Sequence, residues 1–192
     1  MILPPPAISP ELFDIFESSL PLINEKIKQK NTDVILREQY DKPRDDFERV
    51  YTSSTSLYKL LNIKDVKIAP CKFLYQFDQL HIGEKCIESL IRTFPTHSII
   101  PSGFFYYPPN GFMSWHTNSD VEVDHLYITF ASQSNQSYFR YYDHVTNNII
   151  TEYDQKGFNV RFFNTPRQMP FWHCVHSKCD RYSLGFRIVN NL

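Results

Sequence analysis

Two arginines and two histidines in the C-terminal half have the types and spacing to hold an anion beside a metal ion. Read as a strand, Arg181-Tyr182-Ser183-Leu184-Gly185-Phe186-Arg187-Ile188 splits by parity. Arg181, Ser183, Gly185 and Arg187 share one face, while Tyr182, Leu184, Phe186 and Ile188 share the other. The apolar face belongs against a core. The polar face sets two guanidiniums roughly 20 Å apart, with small residues between them that leave room for an anion along the strand. Just upstream, His173 is flanked by Phe171 and Trp172, where burial favours a neutral imidazole able to bind a metal.

A second histidine lies in Phe112-Met113-Ser114-Trp115-His116-Thr117-Asn118-Ser119-Asp120. Even positions share a face if the strand persists, so His116 and Asn118, and then Asp120, point the same way. Two histidines and a carboxylate on neighbouring strands form the facial triad of non-haem iron, which leaves coordination positions open for substrate and oxygen. A lone His-x-x-x-Asp is common in unrelated chains; it gains weight here from the distant aromatic-His segment and the arginine-bearing strand after it. A competing zinc reading takes His173, Cys174, His176 and Cys179. Against it, His173 and Cys174 point to opposite faces of a strand.

At this point the sequence resembles an iron(II)/2-oxoglutarate-dependent dioxygenase, and its C-terminal half is most similar to AlkB-like members. Tyr107 stands nine residues before His116, as the family's tyrosine precedes its first histidine, and Arg181-Tyr182-Ser183-Leu184-Gly185-Phe186-Arg187 matches the family's last strand. The resemblance covers about residues 98–190. It implies that His116 and His173 bind Fe(II), that Arg181 with Tyr107 pairs with the distal carboxylate of 2-oxoglutarate, and that Arg187 lies nearer the metal-chelating end. It also implies cofactor contacts for Ser183. A guanidinium suits the distal carboxylate because its fork matches two oxygens.

The sequence departs from the family pattern in three places. The family's ligand carboxylate falls at Asn118, a poorer ligand for a hard cation. Asp120 supplies a carboxylate only if the chain folds back at Asn118-Ser119, because in an extended strand its Cβ lies about 13 Å from that of His116. Either residue therefore stands as third ligand, Asp120 being preferred. Ser183 and Gly185 replace an asparagine and a threonine of the family.

The elements that must position these residues are mainly strands. Aromatics make up 16% of the chain, with only 5 glycines against 13 prolines, a composition suited to a β-rich fold. From His97 onward, strand patterns fall at 98–107, 111–117, 124–131, 137–143, 147–153, 158–163, 168–175 and 181–189, separated by turn signals. Eight short strands in under a hundred residues signal a jelly roll, and the resemblance implies its double-stranded β-helix form. Residues 1–96 read as a helix-rich N-terminal support and 97–192 as the core of a single domain, giving an α+β, mainly β fold with N-terminal helices packed on it. Ser9-Pro10-Glu11 starts a helix that Pro21 should break or kink. Further helices are expected at Thr52–Leu61 and Gly83–Phe94, with a strand within 31–50 and another at Val66–Phe77. Arg44–Arg49 reads as a self-compensating charge run.

The net charge of −1 argues against a nucleic-acid partner. Tyr138-Phe139-Arg140-Tyr141-Tyr142 is nonetheless the kind of aromatic run on which bases stack. There is no apolar run of membrane-span length and no export signal at the N-terminus. The four cysteines are expected to be reduced thiols in a cytoplasmic setting. The expected partners are 2-oxoglutarate, O2 and an unidentified substrate, with a protein, amino acid or small metabolite favoured over duplex DNA. The reaction expected is oxidative hydroxylation or demethylation. The rival reading is a catalytically inactive jelly-roll binding module, which Asn118 favours.

Overall fold

A computed structural model describes residues 1–29, 35–39, 51–61, 71–77, 80–118, 122–166 and 168–191. The Arg44–Arg49 run and Val66–Pro70 lie outside the described residues. The strands are β1 (Ile2–Leu3), β2 (Ile35–Gln39), β3 (Cys71–Gln76), β4 (His97–Tyr107), β5 (Phe112–His116), β6 (Asp124–Ala131), β7 (Ser137–Asp143), β8 (Asn148–Tyr153), β9 (Gly157–Asn164), β10 (His173–Ser177) and β11 (Arg181–Asn190). The helices are α1 (Pro10–Lys28), α2 (Ser54–Leu60) and α3 (Ile82–Thr93).

The fold is mainly β, and among the described residues every strand pairing is antiparallel. One run of strands is β1-β9-β6-β11-β4 and another is β5-β10-β7-β8. Strand β3 joins them, pairing with β4 through Tyr75 and Gln76 and with β5 through Cys71 and Lys72. Strand β2 pairs with β3. Leu74, Tyr107, Phe139, Phe163, Phe171 and Val175 come from both runs and share one buried cluster, so the runs face each other across it.

Parity on β11 sorts its side chains as read from the sequence. Tyr182, Leu184, Phe186 and Ile188 join Leu126 and Ile128 of β6 beneath Leu12, Phe16 and Ile23 of α1 and Cys86 and Leu90 of α3. Burying each such side chain contributes about 1.5–3 kcal/mol, which fastens the helices to the outer face of the first run. Gly83 permits the close approach of α3, because a Cβ there would lie 2.8 Å from the Phe104 ring.

Two local expectations are corrected. Helix α1 runs unbroken through Pro21. Proline removes one backbone donor, but the apolar stripe of Leu12, Phe16 and Ile23 is anchored on both sides of it, and packing outweighs the lost bond. The strand expected at 168–175 instead begins at His173, since Pro170 has no N–H to give to a ladder.

Candidate active site

His116 ends β5 and His173 opens β10, and the two are direct cross-strand partners. Their ring centroids lie 4.1 Å apart. The His116 Nδ1 is 2.7 Å from the Ser114 carbonyl oxygen, and the His173 Nδ1 is 2.9 Å from that of Phe171. A carbonyl oxygen only accepts, so in both rings Nδ1 carries the proton and Nε2 keeps its lone pair. The His173 Nε2 is buried with no hydrogen-bond partner among the described residues. Desolvation lowers the His116 pKa to about 4. His173 is pushed well below the ordinary value, first by burial and then by the nearby His116. Both imidazoles are therefore neutral at pH 7. Two basic Nε2 atoms on adjacent strands fit a first-row divalent metal.

Aromatic rings fix His173. Phe139 stacks on it at 5.2 Å and Phe171 at 5.6 Å. These contacts give the run Tyr138–Tyr142 a role in packing: Tyr138 and Phe139 are buried, and Arg140 donates to the Thr52 carbonyl and to Thr151 Oγ1. Trp115 and Trp172 lie on the opposite face, buried with Leu57 and Cys174. Cys174 thus points away from His173, as strand parity requires. All four cysteines are free, and no group of three or more His, Cys, Asp or Glu converges among the described residues.

A cavity of about 740 Å³ is lined by His116, His173, Asn118, Tyr107, Arg181 and Ser183, together with Tyr127 and residues of β2 and β3. Arg181 is 1% exposed and pairs across the ladder with Tyr107, whose ring lies 5.2 Å from the guanidinium carbon. Burial pushes the Tyr107 phenol up, against the opposing effect of Arg181. Arg187 shares the strand face but does not line the cavity; its charge acts on the Tyr127 phenol. Asn118 lies two residues past the end of β5, and its Nδ2 donates to the Tyr127 hydroxyl at 2.7 Å. Asp120 lies outside the described residues.

The structure adds groups that the sequence reading passed over. Asp154, in the gap between the strands read at 147–153 and 158–163, is fully buried. Its Oδ2 accepts from Arg181 Nε at 2.8 Å and from Ser137 Oγ at 2.6 Å, and its Oδ1 accepts from Arg161 Nη1 at 2.7 Å. Burial alone would raise the Asp154 pKa, but Arg181, Arg161 and Ser137 more than offset this and hold the carboxyl well below the usual range. The signal that could have found it is charge balance, because arginines on inward strand faces need a buried carboxylate. Tyr127 was also missed. On β6, His125, Tyr127 and Thr129 alternate with Leu126, Ile128 and Phe130, the same two-faced pattern that marked β11. The Tyr127 ring also accounts for Gly185, where the resemblance expects threonine. A Cβ there would lie 2.8 Å from Ser102 Oγ, 3.0 Å from Tyr127 Cε1 and 3.1 Å from the Gly103 carbonyl oxygen.

The sequence matches no protein-family model and no curated protein. Among solved structures, a prolyl-4-hydroxylase from Pseudomonas putida is similar at TM-score 0.51 and 10% identity, over 93% of this chain and 88% of that one. A 2OG-Fe(II) oxygenase family oxidoreductase from Burkholderia pseudomallei scores 0.45 at 10% identity, covering 88% and 89% of the two chains. A prolyl hydroxylase from Trichoplax adhaerens, in complex with a hypoxia inducible factor peptide fragment, scores 0.41 at 13% identity and covers 91% and 92%. The chain thus shares with the Pseudomonas putida enzyme a mainly β, antiparallel fold along nearly its whole length.

Proposed function

We propose that the protein is an Fe(II)- and 2-oxoglutarate-dependent oxygenase with a double-stranded β-helix core, whose last strand, Arg181 to Arg187, is of the AlkB-like kind. The observation that carries this reading is the paired His116 and His173, each with Nδ1 tied to a backbone carbonyl, in one cavity with Arg181. His116 and His173 would hold the metal through Nε2, with Asp120 as the preferred third ligand and Asn118 its alternative. Bound iron and 2-oxoglutarate would supply the oxidation of a substrate by O2, with decarboxylation of the cosubstrate to succinate.

The protein's own groups orient and exclude. Arg181 offers Nη1, which has no partner among the described residues, to the distal carboxylate. Tyr107, stacked against the same guanidinium, closes that end. Phe139, Phe163 and Phe171 surround His173 and keep water from its ring. The Asn118 Nδ2 donates to Tyr127, which orients the amide without using Oδ1, the atom that would ligate a metal.

The test is iron-dependent succinate formation from 2-oxoglutarate, by wild type and by His173→Ala. Slow succinate release by wild type that is absent in the variant is expected; equal rates would refute the assignment. The second reading, a binding module without turnover, is favoured by Asn118, which stands where the resemblance expects a ligand carboxylate. It predicts 2-oxoglutarate binding without succinate. No described helix is long and apolar enough to cross a membrane.

A further inference from the structure

We propose that Asp154 is a positioning residue that grips Arg181 by Nε, leaves its terminal nitrogen for a ligand carboxylate, and so sets the length of dicarboxylate the cavity accepts. This inference rests on the oxygenase reading for the identity of the ligand. The geometry supports it from three sides. First, Asp154 itself cannot turn away. Its Oδ1 is held by Arg161 at 2.7 Å and its Oδ2 by Ser137 at 2.6 Å, while its backbone N–H donates to the Ser137 carbonyl at 2.9 Å. Arg161 is held in turn by Glu152 Oε2 at 2.9 Å, so the carboxylate is fixed by residues of β7, β8 and β9.

Second, Arg181 meets this fixed carboxylate through Nε alone, at 2.8 Å, and the Tyr107 ring lies over its guanidinium carbon at 5.2 Å. A guanidinium is a planar fork with five donors. Clamped at Nε and covered on one face, it keeps only its terminal nitrogens for another partner, and Nη1 is buried with none among the described residues. A buried donor left without an acceptor is costly, and a carboxylate in the cavity that Arg181 lines would remove that cost.

Third, Asp154 divides its charge between two guanidiniums. Glu152, the other carboxylate of the set, pairs with Arg161 rather than Arg181 and is 35% exposed. The two carboxylates and two guanidiniums balance, but Asp154 engages Arg181 through Nε, so what Arg181 keeps for an anion is hydrogen-bonding capacity at its terminal nitrogens. Because the anchor nitrogen is fixed and the metal-binding histidines are fixed by their own carbonyls, the span between them is fixed too. A ligand that must reach both is measured by that span.

The experiment titrates the full-length protein calorimetrically with glutarate, which needs no metal. It then titrates with 2-oxoglutarate and the one-carbon-longer 2-oxoadipate in the presence of Mn(II). Asp154→Asn should weaken glutarate and 2-oxoglutarate binding at least tenfold. It should also bring the affinity ratio of 2-oxoglutarate to 2-oxoadipate severalfold closer to one, with Mn(II) affinity in the absence of ligand unchanged. Ser137→Ala, which loosens the same oxygen more gently, should move both quantities in the same direction by a smaller factor, and it decides the matter if Asp154→Asn does not fold. Folded variants with wild-type affinity and wild-type length discrimination would overturn the proposal. So would a parallel fall in Mn(II) affinity, which would mark a merely structural role. Asp154-dependent glutarate binding without metal-dependent strengthening by 2-oxoglutarate would sink the oxygenase reading and leave the anchor standing. Wild-type protein that binds neither dicarboxylate would overturn both.

Discussion

Replacing Arg181 by methionine separates its structural from its ligand-binding contribution. Methionine keeps much of the aliphatic stem and removes the guanidinium. Removing one partner of a buried ion pair costs about 3–5 kcal/mol when the other charge is stranded. Here Asp154 retains Arg161 at 2.7 Å and Ser137 at 2.6 Å, so it is not stranded. The substitution also removes the unpartnered Nη1, whose burial costs about 1–3 kcal/mol in the free protein. The net loss of stability should be about 2 kcal/mol, or about 4–8 °C in Tm for a chain of this length. Cosubstrate affinity should fall further. Losing the buried cation opposite a carboxylate costs about 2–5 kcal/mol, roughly a 30- to 4,000-fold rise in Kd. Calorimetric titration of 2-oxoglutarate with Mn(II), beside thermal unfolding of the same samples, measures both. An Arg181→Met protein that binds 2-oxoglutarate as tightly as wild type refutes the anchor. A Tm drop far beyond this range would show that Asp154 depends on Arg181 more than the distances imply.

Other expectations follow from the same geometry. Protein purified with iron should carry one ion per chain. That ion should be lost in His116→Ala or His173→Ala and retained in Cys179→Ser, and stoichiometric zinc that survives His116→Ala but is lost in Cys179→Ser would support the His/Cys reading instead. Measured without cosubstrate, iron affinity should fall more in Asp120→Ala than in Asn118→Ala, because a carboxylate is the better ligand for a hard cation; the opposite order would make Asn118 the third ligand. Because the Asp154 carboxyl is held below its ordinary 3.8, its contribution to stability is fully present above about pH 4 and is lost as pH falls toward the folded value. Acid unfolding followed by circular dichroism should therefore steepen below about pH 4, and this steepening should be smaller in Asp154→Asn.

Most strands of the C-terminal half, and which residues share a face on them, were legible along the chain. Period-two alternation placed Tyr182, Leu184, Phe186 and Ile188 against a core and Arg181 and Ser183 on the opposite face, because a strand has only two faces and burial selects between them. The same local rule separated His173 from Cys174. What it could not determine was pairing between distant segments. That β5 lies beside β10, bringing His116 opposite His173, depends on long-range ladder contacts, for which the periodicity of either strand carries no address. Strand β3 was legible as a strand, but its place joining the two runs was not. Asp154 falls between two expected strands, and only the fold directs it inward to Arg161 and Arg181. Pro21 was misjudged in the other direction: a local helix breaker was overridden by packing along the whole of α1. Chemistry-bearing residue types can be read along the chain, but the tertiary structure decides which of them meet, because a buried charge or an imidazole lone pair is defined by its neighbours in space.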